Sequence, residues 1–245
     1  MANLEVCIDD ATGLEACQIS PPDFIELCSA LALGGLTPSP GLMELASKQP
    51  IPTRAMIRPR VGGFEVDAAS LDQMLGDISH VKSLGLEGVV FGALTPENRL
   101  DLAVLETLLK ESQGLQTTLH RAFDMVPDQG QALEEAISLG FNRILTSGGA
   151  RSALEGASRI RSIVEQADGR IEVMAGSGVT SHNVGQLIRG TGVPLVHASC
   201  SSEIATPLEV QRLSFGPKSM RVTDAEVIKQ MKLANSEEDP NSRSS

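Results

Sequence analysis

The sequence predicts a TIM-like (β/α)8 barrel, an α/β fold in a single domain, and three observations support this prediction. Eight short apolar segments typical of buried parallel strands alternate with segments of helical period. The chain has 245 residues, of which 41% are hydrophobic, and this suits one domain with a full core. No GxGxxG motif follows the first strand, which disfavours the competing arrangement, an open doubly wound sheet.

The predicted strands are short aliphatic runs bounded by glycine, proline or polar residues. They span residues 4–8, 24–28, 53–57, 88–93, 116–122, 143–147, 172–175 and 195–199. The predicted helices span residues 70–84, 101–111, 129–139, 153–166, 181–189 and 224–232. We expect the last helix to close the ring, so that the barrel domain covers residues 1–234.

Residues 235–245 are polar and lack apolar anchors, which predicts a disordered tail. The four cysteines lack zinc-type spacing and are predicted to be free thiols. No basic segment followed by an apolar run opens the chain, and no apolar run approaches about 18 residues. We therefore expect a cytoplasmic location and no membrane partner.

The charge balance limits the partners. Twenty basic and 31 acidic residues give a formal net charge of −11, and the chain contains no Trp or Tyr. The excess negative charge disfavours nucleic acid and anionic membranes, and the missing aromatic rings remove stacking platforms for bases. We expect no nucleic-acid partner, and a small anionic ligand would have to be met by local Arg side chains or backbone N–H groups.

One strand pattern occurs twice, since Glu5 and Cys7 alternate with aliphatic residues in the first strand and Glu26 and Cys28 do so in the second. Side chains alternate between the two faces of a strand, so each acid shares a face with a thiol while the aliphatic residues face the helices. The same phase applied to every strand places a polar set inside the barrel: Glu5, Cys7, Glu26, Cys28, Arg58, His120, Asp124, Thr146, His197 and Ser199. We expect internal ion pairs in this set, such as Glu26 with Arg58, and the set as a whole favours a ligand site.

Several of these groups suit acid–base catalysis. The candidate catalytic residues are Glu26, His120 and Asp124, and Arg58 and Arg60 are candidate clamps for an anion. The other candidate substrate-binding residues are Thr146, Gly176, Gly178, His197 and Ser199. The two glycines follow the seventh strand, where barrels often bind phosphate, although a tight turn explains them equally well. The set suits an enzyme that acts on a small phosphorylated or carboxylated molecule.

Two further expectations concern cofactors and orientation. No Lys lies in a predicted strand, so Schiff-base aldolase chemistry is not expected, and neither is a nucleotide or pyridoxal phosphate cofactor. Arg121 and Phe123 alternate with His120, so these two side chains are expected to face the helices.

The chain resembles the CutC family, whose members are usually labelled copper homeostasis proteins. The matching segments lie between Leu4 and about Ser201, at residues 25–28, 34–39, 57–60, 91–94, 120–124 and 145–148. The resemblance implies a TIM-like barrel, a cytoplasmic location, self-association as a dimer or tetramer, and a role in copper handling. The enzyme interpretation stays open beside it.

A copper site would have to use the thiols. Cu(I) prefers soft thiolate ligands, and Cys7 and Cys28 are predicted to lie on the same face of neighbouring strands, so they are the candidate metal ligands. His120 or His197 would supply a nitrogen ligand. The alternative is that each Cys serves as a small buried apolar residue.

The chain departs from the family pattern at three places. After Arg60 it reads Val61, Gly62, Gly63 and Phe64, without the acid that the family usually carries in this loop. Residues 20–24 and 203–218 also differ from the usual pattern. We expect these changes to affect the shape of the mouth or self-association.

Overall fold

The computed structural model describes residues 2–236 and shows a closed barrel of eight parallel strands ringed by helices, which confirms the predicted fold. The strands follow one another around the barrel in chain order, and the eighth pairs with the first. Their bounds are β1 Asn3–Ile8, β2 Phe24–Leu27, β3 Thr53–Met56, β4 Gly88–Phe91, β5 Gln116–Leu119, β6 Arg143–Thr146, β7 Glu172–Ala175 and β8 Leu195–Ala198.

The helices surround the barrel, and one short excursion interrupts the alternation after β8. The helices are α1 Ala11–Ile19, α2 Pro40–Ala46, α3 Ala68–Leu84, α4 Leu102–Glu111, α5 Gln129–Leu139, α6 Ala157–Ala167, α7 Val184–Thr191, α8 Leu208–Arg212 and α9 Ala225–Ser236. Strands β9 Ser201–Ala205 and β10 Ser219–Thr223 pair antiparallel on either side of α8. None of the helices in residues 2–236 has the length and apolar content needed to cross a membrane.

Side-chain hydrogen bonds set where several helices begin. An Asp or Ser just before the helix accepts a hydrogen bond from a backbone N–H of the first turn, which would otherwise lack a partner. These N-cap residues are Asp10, Ser39, Asp67, Asp101 and Asp128. At the other end, α3, α5 and α7 stop at a glycine in the left-handed conformation.

The two faces of each strand have different surroundings, as the alternation predicts. On β1, Leu4, Val6 and Ile8 are fully buried against the helices and belong to the main apolar core. The side chains that point into the barrel form two small apolar clusters and a polar layer between them. One cluster is Phe24, Leu145, Met174 and Leu195, and the other is Cys28, Met56 and Val90.

Two arginines lie inside the barrel near its amino-terminal end. Arg143 on β6 donates through Nη1 to Glu5 Oε2 at 3.0 Å and through Nη2 to Glu172 Oε2 at 2.8 Å. Its guanidinium carbon lies 4.7 Å from the centre of the Phe24 ring, and that of Arg54 lies 5.5 Å from the same ring. A buried charge is tolerated only where it is paired and hydrogen-bonded, and both conditions hold for Arg143.

Three predicted boundaries need correction. The predicted strand 116–122 ends at Leu119, because the ring of His120 accepts a hydrogen bond from the N–H of Ala122 and starts a 3₁₀ turn, Arg121–Met125. The predicted helix 153–166 begins only at Ala157. The tail was predicted from residue 235, but Asn235 is buried in α9 and its side chain bonds the backbone of Ala2. The rest of the predicted tail, residues 237–245, lies outside the described residues.

The buried Arg143–Glu5 pair should matter far more to stability than an exposed one. Glu5→Gln removes the fully buried carboxylate that faces Arg143 and leaves the guanidinium with only the half-exposed Glu172, so we expect the free energy of unfolding in urea to fall by about 3 kcal/mol. The matched control is Glu134→Gln, which breaks the surface pair of Glu134 and Arg170 and should have a much smaller effect, because an exposed ion pair contributes little to stability. Equal effects of the two substitutions would contradict this ranking.

Candidate functional site

A cavity of about 490 Å³ opens at the carboxyl ends of the strands, the end at which (β/α)8 barrels carry their sites. Its wall combines polar side chains with a few apolar ones. The lining residues used below are Cys7, Glu26, Arg58, Phe64, His120, Arg121, Gly178, His197 and Ser199.

One wall of the cavity carries a row of charged groups centred on His197, which is hydrogen-bonded to Glu5 and lies near Glu26. The Nδ1 atom of His197 lies 3.0 Å from Glu5 Oε1, and its Nε2 atom lies 3.7 Å from Glu26 Oε2. Burial lowers the pKa of His197, but the charges of Cys7 and Glu26, with hydrogen bonds to Cys7 and Glu5, together raise it well above the usual value. The His197 imidazole is therefore held in its charged form between two carboxyl groups.

Burial raises the pKa of both carboxyl groups, but their neighbours shift the two pKa values in opposite directions overall. Burial raises the pKa of Glu5, but the hydrogen bond and charge of His197, with the charges of Arg143 and Arg54, bring it below the usual value. The pKa of Glu26 is raised by burial, which outweighs the lowering effect of His197, and the charge of Glu5 raises it further. Its Oε1 atom is buried and has no hydrogen-bond partner among the described residues.

His120, in contrast to the charged His197, has a neutral imidazole. Burial, and then the charge of Arg58, lower the pKa of His120 to about 3. Its Nδ1 atom accepts a hydrogen bond of 3.2 Å from the backbone N–H of Ala122. A backbone N–H can only donate, so the single ring proton lies on Nε2. That buried Nε2 has no partner in the part of the chain that the structure describes.

A glycine and an aromatic ring hold His120 in place. A Cβ atom at Gly92 would come within 2.6 Å of His120 Cε1 and 2.7 Å of Nδ1, so only glycine leaves room for the ring. The centre of the Phe64 ring lies 4.7 Å from that of His120 and 4.9 Å from the guanidinium carbon of Arg58. Phe64 thus joins His120 and Arg58 into one wall.

The guanidinium of Arg58 is fixed by backbone oxygens. Nη1 donates to the carbonyls of Leu33 and Gly35 at 3.2 and 3.1 Å, and Nη2 donates to that of Gly62 at 2.9 Å. The buried Nε atom has no hydrogen-bond partner among residues 2–236. The predicted ion pair of Glu26 with Arg58 is wrong, because Arg58 follows the end of β3 and turns to these loop carbonyls instead.

The structure brings together seven of the predicted site residues and leaves others away from the cavity. Glu26, His120, Arg58, Gly178, His197, Ser199 and Cys7 line it. Gly176 lies just behind the wall, where a Cβ atom would come within 2.6 Å of Leu145 and 3.2 Å of His197. Arg60 is exposed and donates to the carbonyl of Glu65 at 2.7 Å, so it is not a clamp at the cavity.

Asp124 and Thr146 are placed behind the cavity rather than in its wall. Both predicted inward positions fail because β5 ends early and because Thr146 has the outward phase of Ile144. Asp124 instead accepts hydrogen bonds from Thr146 Oγ1 at 2.5 Å, from the Ser147 backbone at 3.0 Å and from Arg121 Nε at 2.7 Å. These bonds fix the turn that presents Arg121.

Cys28 does not reach the cavity either. Its thiol is fully buried, packs with Met56 and Val90, and lies 3.4 Å from Glu26 Oε2 as a hydrogen-bond donor. Burial, and then the charge of Glu26, raise its pKa well above the usual value. The structure places Cys7 in a different group of possible metal ligands, which does not include Cys28.

That group is Cys7, Glu26 and His197, whose donor atoms all lie within 4.8 Å of one another. The donor set mixes a sulfur, a carboxylate oxygen and an imidazole nitrogen. Metal-binding imidazoles usually donate their second N–H to a carboxylate, and Glu5 occupies that place at Nδ1 of His197. The residues therefore fit a single metal ion, although His197 is held in its charged form without one.

The sequence analysis missed four residues that shape the site. Phe64 lies in a loop, Gly92 looked like an ordinary strand end, and Arg121 was expected to face the helices. Of these four residues, Arg143 could have been recognised most readily from the sequence, because an Arg inside a strand that is otherwise aliphatic must have a buried partner.

Comparison with known proteins agrees with this geometry. The model of the CutC family matches residues 2–202. The chain belongs to the CutC family. A "family protein CutC" of Sinorhizobium medicae is 49% identical over 230 residues, covering 94% of each chain, and that of Caulobacter vibrioides is 49% identical over 236 residues, covering 94% of this chain and 96% of the other.

A solved structure supports the same membership. The crystal structure of CutC from Streptococcus agalactiae, which its name describes as a copper homeostasis protein, is 35% identical with a TM-score of 0.78. The match covers 81% of this chain and 99% of the other. This CutC-family chain therefore has the family's barrel, while the residues after 202 lie beyond the family match.

The neutral His120 predicts a specific loss of stability in acid. In the unfolded chain His120 takes up a proton below about pH 6.5, whereas in the folded protein it does so only at about pH 3. Its contribution to stability is therefore complete above pH 6.5 and is lost as the pH falls toward 3, by about 1.4 kcal/mol per pH unit.

Urea unfolding at several pH values tests this expectation. Between pH 6 and 4.5 the His120→Gln protein should lose about 2 kcal/mol less than the parent, because Gln does not titrate. His182→Gln, at an exposed position, should follow the parent. Parallel curves for His120→Gln and the parent would contradict a buried neutral imidazole.

Proposed function

We propose that this protein is an enzyme that carries out proton-transfer chemistry on a small carboxylated or phosphorylated molecule bound in the barrel cavity. The observation that carries the proposal is a set of buried polar atoms that have no hydrogen-bond partner among residues 2–236 and belong to side chains lining the cavity. They are Glu26 Oε1, Arg58 Nε and His120 Nε2. A buried polar atom without a hydrogen bond costs about 1–3 kcal/mol, and a polar ligand that reached these atoms would remove that cost.

The arrangement supports a polar organic ligand of modest size. The volume of about 490 Å³ lies in the range of small-molecule sites, and the unpaired atoms offer two donors and one acceptor. Glu26 is the proposed proton-transfer group because burial raises its pKa toward the range in which a carboxyl group can both give and take a proton. The charged His197 beside it stabilises the carboxylate form.

Exchange of ligand hydrogens with solvent tests the proposal without knowledge of the full reaction. Small carboxylates and phosphate esters are first screened by thermal shift, since a ligand at 100 times its Kd stabilises the protein by about 2.7 kcal/mol. Bound ligands are then incubated with enzyme in D₂O and followed by NMR. We expect loss of a C–H signal, slowed by about 10²–10⁴ in Glu26→Gln, which should still bind.

The control is Glu134→Gln, a surface substitution that should exchange as fast as the parent. The proposal fails if no small carboxylate or phosphate ester stabilises the parent protein. It also fails if Glu26→Gln exchanges the ligand hydrogens at the parental rate.

A second candidate function, Cu(I) binding, is supported by the group of Cys7, Glu26 and His197. Family membership favours a relation to copper homeostasis, and the thiolate and imidazole are ligands that Cu(I) accepts. We propose Cys7 and His197 as its ligands, with Glu5 orienting His197 and Glu26 completing the site. The ion would then bind at the same wall of the cavity where the enzyme proposal places the charged His197 and Glu26.

Competition with a Cu(I) chelator under anaerobic, reducing conditions tests this candidate. We expect one Cu(I) per chain, with affinity at least about tenfold weaker in Cys7→Ser. Cys28→Ser and the control Cys17→Ser should bind as the parent does, because neither thiol belongs to the group. Unchanged affinity in Cys7→Ser would exclude the site, and equal losses in Cys7→Ser and Cys28→Ser would restore the pair predicted from the sequence.

The cytoplasmic location and the self-association expected from the sequence stay predictions. Family membership is compatible with both, and neither alters the geometry of the cavity on which the two proposed functions rest.

A further inference from the structure

The wall formed by Arg58, Phe64 and His120 carries a more specific inference, which rests on the proposed small-molecule function. We propose that His120 and Arg58 form a subsite for one carbonyl or carboxylate group, so that the substrate is a small keto or carboxyl compound whose oxygen atoms accept hydrogen bonds from both residues. In this role His120 is a hydrogen-bond donor, whereas the sequence analysis treated it as a catalytic base or acid.

The donors of this wall suit a carbonyl or carboxylate group. His120 can offer only Nε2–H, because Nδ1 is occupied by the N–H of Ala122. Arg58 can offer Nε–H and one Nη2–H, because Nη1 donates to the carbonyls of Leu33 and Gly35 and Nη2 uses one of its two hydrogens for that of Gly62. Three donors with a single positive charge match a carboxylate or a developing enolate, whereas a phosphate group presents three oxygens and favours more donors and more charge.

The two side chains pack against the same ring, which holds them in place. Both side chains contact the Phe64 ring, with distances of 4.7 Å between ring centres for His120 and 4.9 Å from the ring centre to the Arg58 guanidinium carbon. The charge of Arg58 acts directly on His120, since it contributes to lowering the pKa of that imidazole. Such fixed donors stabilise negative charge that develops on an oxygen without having to reorient.

The neutral state of His120 fits this role. A neutral imidazole donates a hydrogen bond to a carbonyl oxygen without giving up its proton fully, and it polarises the C=O bond. Gly92 and the Ala122 N–H fix the ring from the side away from Nε2. The remaining free polar atom, Glu26 Oε1, lies in the wall of the same cavity and is available to the rest of the ligand.

The experiment compares three probes by calorimetry on metal-free protein: pyruvate, oxalate and methyl phosphate. Oxalate resembles the enolate of pyruvate and places negative charge on the oxygen that the subsite would hold. We expect oxalate to bind at least about tenfold more tightly than pyruvate, since a site that stabilises developing charge binds its mimic better. Methyl phosphate should bind more weakly than oxalate.

Substitutions locate the binding. Removal of a hydrogen-bond donor should lower the affinity for oxalate about ten- to hundredfold in His120→Leu and in Arg58→Lys, which lacks the Nε–H. The control His182→Leu should bind oxalate as the parent does. The inference is overturned if oxalate binds His120→Leu and the parent equally, or if methyl phosphate is the tighter ligand.

A measurement on the parent protein guards against variants that fail to fold. With ¹⁵N-labelled histidine, NMR should show His120 as the neutral Nε2–H form, before and after oxalate binding, with only the Nε2 signal shifted by the ligand. A doubly protonated ring on binding would overturn the inference. If oxalate binding requires Glu26 but not His120, the proposed function stands and the subsite fails; if no probe or screened compound binds, the proposed function fails with it.

Discussion

The hydrogen-bonded contact of Arg143 with Glu5 is the interaction on which the rest of the barrel interior depends. It joins β6 to β1 across the barrel, with both side chains almost fully buried. Glu5 is held as a carboxylate by His197 and Arg143 together, and His197 in turn faces Glu26. Glu5 thereby connects the charge at the base of the barrel to the cavity wall above it.

The cavity has two walls, each with a buried histidine, and the walls differ in the charges that surround the imidazole. On the wall of Cys7, Glu26 and His197, opposite charges lie close together, so the imidazole remains charged despite burial. On the wall of His120, Phe64 and Arg58, the nearest charge is positive, and burial and repulsion act in the same direction on the imidazole. The two histidines of the cavity thus differ in charge, since His120 is neutral and His197 is positively charged. The site therefore has both an uncharged hydrogen-bond donor and a charged partner for Glu26.

Local backbone geometry contributes as much to the site as the functional groups do. Gly92 leaves space for the ring of His120 and Gly176 leaves space for the side chain of Leu145, where a methyl group would clash. His120 also caps the 3₁₀ turn that follows β5, and Asp124 ties this turn to the loop after β6. The side chains that line this cavity are therefore positioned by groups that do not line it.

The sequence by itself determined the fold and the inward position of Glu5, Cys7, Glu26 and His197, because strand alternation and the repeated βα pattern depend only on local periodicity. It did not determine which of these groups pair. Arg58 and Asp124 follow the ends of their strands, where the period of two no longer applies, so their partners were decided by loop carbonyls and turn N–H groups. The replacement of Cys28 by Glu26 and His197 around Cys7 was likewise decided by tertiary structure, since β8 closes against β1 only in the finished barrel. Charge states followed the same rule, because a pKa depends on burial and on neighbours that are distant in sequence.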